Sequence, residues 1–163
     1  MSLVGILHKF ISMINMDEFY MRQALKEAKK GFQEDEVPVG CVIVHGESII
    51  ARGYNMCERL CDPTAHGEMQ GLTSACNYLQ SKYLDQCTIY TTLSPCIMCA
   101  GALFWSKIGR VVYGANDKNQ GINLLESRML HPKTKIKGGV LADECGYLLT
   151  AFFKKKRKLE KKK

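Results

Sequence analysis

The stretch "VGCVIVHGESIIARGY", residues 39–54, holds two β-rich runs, "VGCVIV" and "IIARGY", around the short polar "HGES". Branched apolar runs flanking a glycine-containing connection predict an antiparallel hairpin. "QCTIYTTL" (86–93) and "RVVYGA" (110–115) read as further short strands, and "IKGGVL" (136–141) as a weaker one. Helical patterns surround them. Asp17 is placed to cap a helix on which Met21, Ala24, Leu25 and Ala28 follow i, i+3, i+4, i+7, with Gly31 at its end. Asp62 as cap and Pro63 at the first helical position predict a helix to about Leu79. "PCIMCAGALFWS" (95–106) opens on proline and continues as a helix. Residues 117–134 read mostly as loop, with a helical turn around Leu124–Met129. A last helix begins near Ala142 and is placed by Cys145, Leu148, Leu149 and Phe152. The order α-β-β-α-β-α-β-(β)-α predicts an α/β protein: a three-layer α/β/α sandwich on a mixed five-stranded sheet.

At 163 residues, 46% apolar and 24% charged, the chain fits one domain with short extensions. We divide it into an N-terminal extension (1–16), a domain (17–157) and a basic tail (158–163). No apolar run reaches ~18 residues, so no membrane span is expected. The start lacks a basic n-region and a small-residue cleavage site, so no signal peptide is expected either. The net charge of +7 is carried by the final ten residues, "KKKRKLEKKK", leaving a neutral body. A neutral body with a basic end suits polyanionic partners. Eight cysteines without a secretion signal point to a reducing cytoplasm rather than a disulfide framework. Cys41, Cys76, Cys87 and Cys145 lie in apolar-periodic segments and read as small core residues.

"DPTAHGEMQ" (62–70) places His66 and Glu68 two apart at a helix start. Side chains at i and i+2 do not share a helix face, so packing does not account for the pair. Cys96 and Cys99 form a Cys-x-x-Cys at another helix start, where backbone N–H groups favour thiolates and thiolates bind soft metals. That pair alone fits a redox couple, or a structural zinc site completed by Cys57 and Cys61. One histidine with two cysteines instead makes a three-ligand zinc site that keeps its fourth position for water. A carboxylate outside the ligand set, Glu68, then moves protons. His-x-Glu followed by Pro-Cys-x-x-Cys is the signature of the zinc nucleoside and nucleobase deaminases.

The chain resembles the bacterial tRNA adenosine deaminases (TadA) from about Asp17 to Arg157. The segments that carry the likeness are "EVPVGCVIV", "DPTAHGEM", "SPCIMCAGAL", "KIGRVVYGANDKNQG", "GGVLADEC" and "FFKKKR". The resemblance implies a cytidine-deaminase-like fold, a homodimer with one Zn2+ per subunit and no nucleotide cofactor, and deamination of the wobble adenosine of a tRNA anticodon stem-loop to inosine. It implies zinc ligation by His66, Cys96 and Cys99 and proton transfer by Glu68. It matches Asn55 to a contact with the target nucleoside and Asp117 to an acidic residue near the RNA loop. Phe152 and Phe153, with the basics after them, match the helix that touches the anticodon stem-loop. Two positions depart from the family: Gly67 stands where alanine is usual, and Ser94 where glutamate is common. Fungal cytosine deaminases share those choices, so the motif core leaves a free base such as cytosine as the alternative substrate.

Overall fold

The computed structural model describes residues 3–122, 124 and 129–161, with side chains from Met16 onward. Helix α1 (Leu3–Gln33) is followed by strands β1 (Gly40–His45) and β2 (Ser48–Tyr54) and a single-turn helix α2 (Cys57–Leu60). Helix α3 (Gly67–Leu79), β3 (Cys87–Leu93), α4 (Ile97–Trp105), β4 (Arg110–Ala115), β5 (Lys135–Lys137) and α5 (Ala142–Glu160) complete the order.

The hairpin forms as expected. His45 pairs with Ser48 across Gly46, whose φ of 61° suits a residue without Cβ. The sheet runs β2-β1-β3-β4-β5. β1 is antiparallel to β2 and β3, whereas β3, β4 and β5 are mutually parallel. The sheet is therefore mixed and five-stranded. Alternation along β1 sends Cys41 and Ile43 to one core, with Leu72, Ala75, Ala100 and Leu103 of α3 and α4. It sends Val42 and Val44 to the other, with Met21, Ala24 and Leu25 of α1 and Cys145 of α5. Helices thus cover both faces, and each fully buried leucine, isoleucine or methionine contributes about 1.5–3 kcal/mol.

Several expected boundaries change. Asp17 lies inside α1, which begins at Leu3 and passes Gly31 to end at Gln33. Its carboxylate is 2% exposed and accepts from both Arg110 guanidinium nitrogens (2.7 and 2.9 Å), Lys137 Nζ (2.7 Å) and the Tyr90 hydroxyl (2.9 Å). It clamps α1 to β3, β4 and β5 instead of capping. Asp62 also caps no helix: Oδ1 accepts from Thr64 N (2.8 Å) and Oγ1 (2.7 Å), closing a local turn, and α3 starts only at Gly67. The weak strand is confined to residues 135–137, because Gly139, at φ 85°, leaves the extended conformation. The helical turn expected around Leu124–Met129 falls largely outside the described residues. Cys41, Cys87 and Cys145 are buried; Cys76 is half-buried. No helix among the described residues is long and apolar enough to cross a membrane.

Candidate active site

The site forms where two helix starts meet beyond the carboxyl end of β3. His66 is the N-cap of α3 and Cys96 the N-cap of α4, both in extended backbone conformation. Neither side chain caps its own helix, so both are turned to other use. His66 Nδ1 lies 3.6 Å from Cys96 Sγ and 3.6 Å from Cys99 Sγ. The three ligand atoms lie within 4.8 Å of one another. With Zn–N near 2.0 Å and Zn–S near 2.3 Å, a tetrahedral N···S edge is about 3.5 Å, close to the distances observed. The triad fits zinc in both spacing and donor chemistry. Cys57 and Cys61 are free and contribute nothing to the cluster, so the four-ligand structural alternative is not what the fold builds.

The electrostatics agree. The Cys96 thiol is brought down to about 4, first by the hydrogen bond from Cys99 and then by His66. Cys99 is pushed up by the same shared proton. His66 is raised chiefly by its hydrogen bond to Cys96. The pair therefore offers one ready thiolate, Cys96, and one thiol, Cys99, whose tightly held proton only a bound cation would displace.

Glu68 is 2% exposed. Its Oε1 accepts a long 3.4 Å hydrogen bond from Thr91 Oγ1, while Oε2 has no partner among the described residues. Burial raises its pKa above the ordinary carboxylate value. A buried carboxylate oxygen left unpaired costs about 1–3 kcal/mol or more, so its position calls for a functional reason.

These groups line a pocket of about 210 Å³ with Glu36, Val39, Asn55, Cys57, Ser94, Asp117 and Gln120 among its walls. That is below the ~300–1,000 Å³ of drug-sized sites and suits one base. Asn55 is buried, and its Oδ1 accepts from Gly67 N at 2.8 Å. This fixes the amide so that its NH2 is the group left to donate. Asp117 Oδ1 accepts from Asn119 N (2.8 Å) and Gln120 N (3.1 Å), shaping the loop after β4. That loop is pinned to the metal segment by Ile122 N donating to Pro95 O (2.8 Å).

The carboxy-terminal aromatics separate. Phe153 is 43% exposed. Phe152 is 2% exposed and packs edge-on against Phe32, so the expected RNA contact at Phe152 gives way to a role in seating α5. Glu36 was not singled out in the sequence. Its buried carboxylate accepts from Glu58 N (3.2 Å) and Arg59 N (2.8 Å), holding α2 at the pocket wall. The signal available was an acid directly before "VPVG". Gly67 has a packing reason: a Cβ there would meet Val39 O at 3.1 Å and Tyr54 Cα at 3.2 Å. Ser94 is 1% exposed, and its N–H donates to Ala115 O at 2.9 Å.

Comparison with known proteins agrees with this geometry. The family model for the cytidine and deoxycytidylate deaminase zinc-binding region matches residues 14–115. The tRNA-specific adenosine deaminase of Bacillus subtilis (strain 168) is 42% identical over 91% of this chain and 95% of its own length. That of Aquifex aeolicus (strain VF5) is 43% identical over 86% and 95%. A structure from biochemical and structural studies of A-to-I editing by tRNA:A34 deaminases at the wobble position of transfer RNA superposes with a TM-score of 0.75. It is 34% identical over 80% of this chain and 99% of that one. The chain belongs to the cytidine and deoxycytidylate deaminase zinc-binding family, in the branch of the tRNA-specific adenosine deaminases.

Proposed function

We propose that the chain is a zinc-dependent hydrolase that converts adenosine to inosine at the wobble position of a tRNA anticodon, as a cytoplasmic homodimer with one zinc per subunit. The observation that carries the reading is the buried Glu68 carboxylate, with an unpaired oxygen, in a base-sized pocket beside the His66–Cys96–Cys99 triad. Zinc held by those three residues would supply a Lewis acid that brings the pKa of a bound water to about 7. Glu68 takes the proton from the attacking water and delivers it to the ring nitrogen next to C6. It then assists departure of ammonia from C6. Burial serves this role, since a carboxylate whose pKa is raised is a stronger proton acceptor than a solvated one and can still return the proton. Asn55, fixed by Gly67 N, donates to an acceptor on the target nucleoside. The walls exclude a stacked duplex base, so the substrate base enters unstacked, as anticodon-loop bases are. Asp117 and the 117–122 loop border the entrance, and Phe153 with the basic end of α5 offers a surface for the stem.

The test is a deamination assay offering an anticodon stem-loop with wobble adenosine beside free cytosine and free adenine. Inosine in the stem-loop is expected. Turnover of a free base with the stem-loop untouched overturns the substrate assignment.

A further inference from the structure

The chain's body is neutral as a whole but not locally. At the end of the sheet opposite the zinc site lies a cleft of about 730 Å³. Its walls carry Lys107, Arg110, Lys133 and Lys135 with His131, against one carboxylate, Asp85. Arg110 is engaged by Asp17. Lys107, Lys133 and Lys135 are exposed and pair with none of the described carboxylates. Lys107 Nζ instead stands 4.2 Å from the centroid of the Tyr83 ring, at the same cleft.

The walls are tied together. Thr134 Oγ1 donates to Ile108 O (2.6 Å) and Lys135 N to Gly109 O (3.0 Å), so the segment carrying Lys133 and Lys135 is fixed to the one carrying Lys107. Like charges brought together in a neutral body repel one another, and a polyanion relieves that repulsion.

We infer that this cleft is a second RNA-binding site, which holds phosphodiester backbone of the substrate beyond the loop being deaminated. The inference builds on the tRNA-editing assignment. Cys87 and Thr88 of the cleft begin β3, and the zinc segment follows its end; seven residues at about 3.3 Å each separate the two sites by roughly 20 Å. A base seated in the zinc pocket leaves its own neighbours near that pocket. A contact about 20 Å away on the opposite end of the sheet falls to more distant parts of the RNA. Recognition there is by charge, with Tyr83 and His131 offering ring surfaces, and carries no sequence preference.

The experiment uses full-length zinc-loaded protein and a triple variant, Lys107→Asn, Lys133→Gln and Lys135→Gln. Asparagine is chosen at 107 because φ there is 51°, a left-handed backbone that it tolerates. Binding of full-length tRNA and of a minimal anticodon stem-loop is titrated between 50 and 200 mM salt. The variant should bind tRNA at least about tenfold more weakly at the lower salt. Its slope of log affinity against log salt should fall by up to ~0.7–0.9 per lost phosphate contact. Stem-loop affinity and its saturated deamination rate should stay at the wild-type level. Lys133→Gln alone should show a proportionate part of the slope change. An unchanged tRNA slope overturns the inference, as does an equal loss on the stem-loop. A variant with altered oligomeric state also overturns it, marking the cleft as a protein contact. If wild-type protein edits a free base and ignores RNA, the function assignment fails as well. A wild-type enzyme active on tRNA beside an unaffected variant removes the cleft alone.

Discussion

Replacing Glu68 by glutamine keeps the side chain's shape and removes its charge. In the folded chain that carboxylate is 2% exposed, has one long hydrogen bond of 3.4 Å from Thr91, and leaves Oε2 unpaired. The substitution loses that weak bond, about 0.5–1.5 kcal/mol, and weakens the carboxylate's contacts with its own backbone N–H and the Cys99 thiol, but it relieves a desolvated charge worth about 1–3 kcal/mol, and burial is the largest influence on the group. The sign follows from linkage: a carboxyl whose folded-state pKa is raised destabilises the fold as pH climbs through the carboxylate range, and an amide does not. Glu68→Gln should therefore melt no lower than wild type and up to a few degrees higher, at about 2–4 °C per kcal/mol for a chain of this length. Turnover should fall by ~10²–10⁴-fold or more, because one group serves several proton transfers. Zinc should stay at one per chain. The assays are inosine formation in a stem-loop, metal analysis and a thermal melt on the same preparation. Activity within tenfold of wild type would refute the proton-transfer role. Zinc loss would make Glu68 a ligand. A dead enzyme that melts several degrees lower would show the carboxylate to be structural.

Cys96→Ser should lose zinc and fold poorly, since ligation and folding are coupled, whereas the double change Cys57→Ser with Cys61→Ser should retain metal and turnover; metal analysis of both separates the outcomes. Asp17→Asn should cost about 3 kcal/mol or more at neutral pH in denaturant unfolding, because Arg110 and Lys137 lose their buried counter-charge. Burial acts to raise the Asp17 pKa, but its hydrogen bonds from Arg110, Lys137 and Tyr90 bring the net value below 3.8. The contribution is therefore present above that value and lost as pH falls through the lower folded one, and a gap between variant and wild type that persists below it would contradict the ion-pair account. Removing Lys158 to Lys163 should flatten the salt dependence of stem-loop binding and leave the saturated rate nearly unchanged. Lys155 and Lys156 are already committed to Asp35 at 3.5 and 2.6 Å, so the charges beyond them are the ones to test. A collapse of the saturated rate would place the tail in loop positioning.

The sequence alone determined what short-range chemistry controls. The hairpin, the succession of helices and strands, and the placing of His66, Glu68, Cys96 and Cys99 near helix starts all depend on spacings of a few residues: alternation along a strand, or a ligand set at a helix start. It also carried the departure at Gly67, though not its cause, which is the backbone of residues 39 and 54 pressing against that turn. Contacts across long separations were decided only by the tertiary structure. Asp17 read as a cap because a charged residue before an apolar stripe is normally exposed; its partners lie 73, 93 and 120 residues away. Phe152 and Phe153 are neighbours with the same side chain, and only the packing of α5 against Phe32 buries one and exposes the other. The basic cleft draws on residues 83–135, whose charges are scattered in sequence, and it exists because parallel strands align their amino ends. Local spacing specifies which atoms can ligate and where chains turn; which distant charges meet is set by how the strands and helices stack.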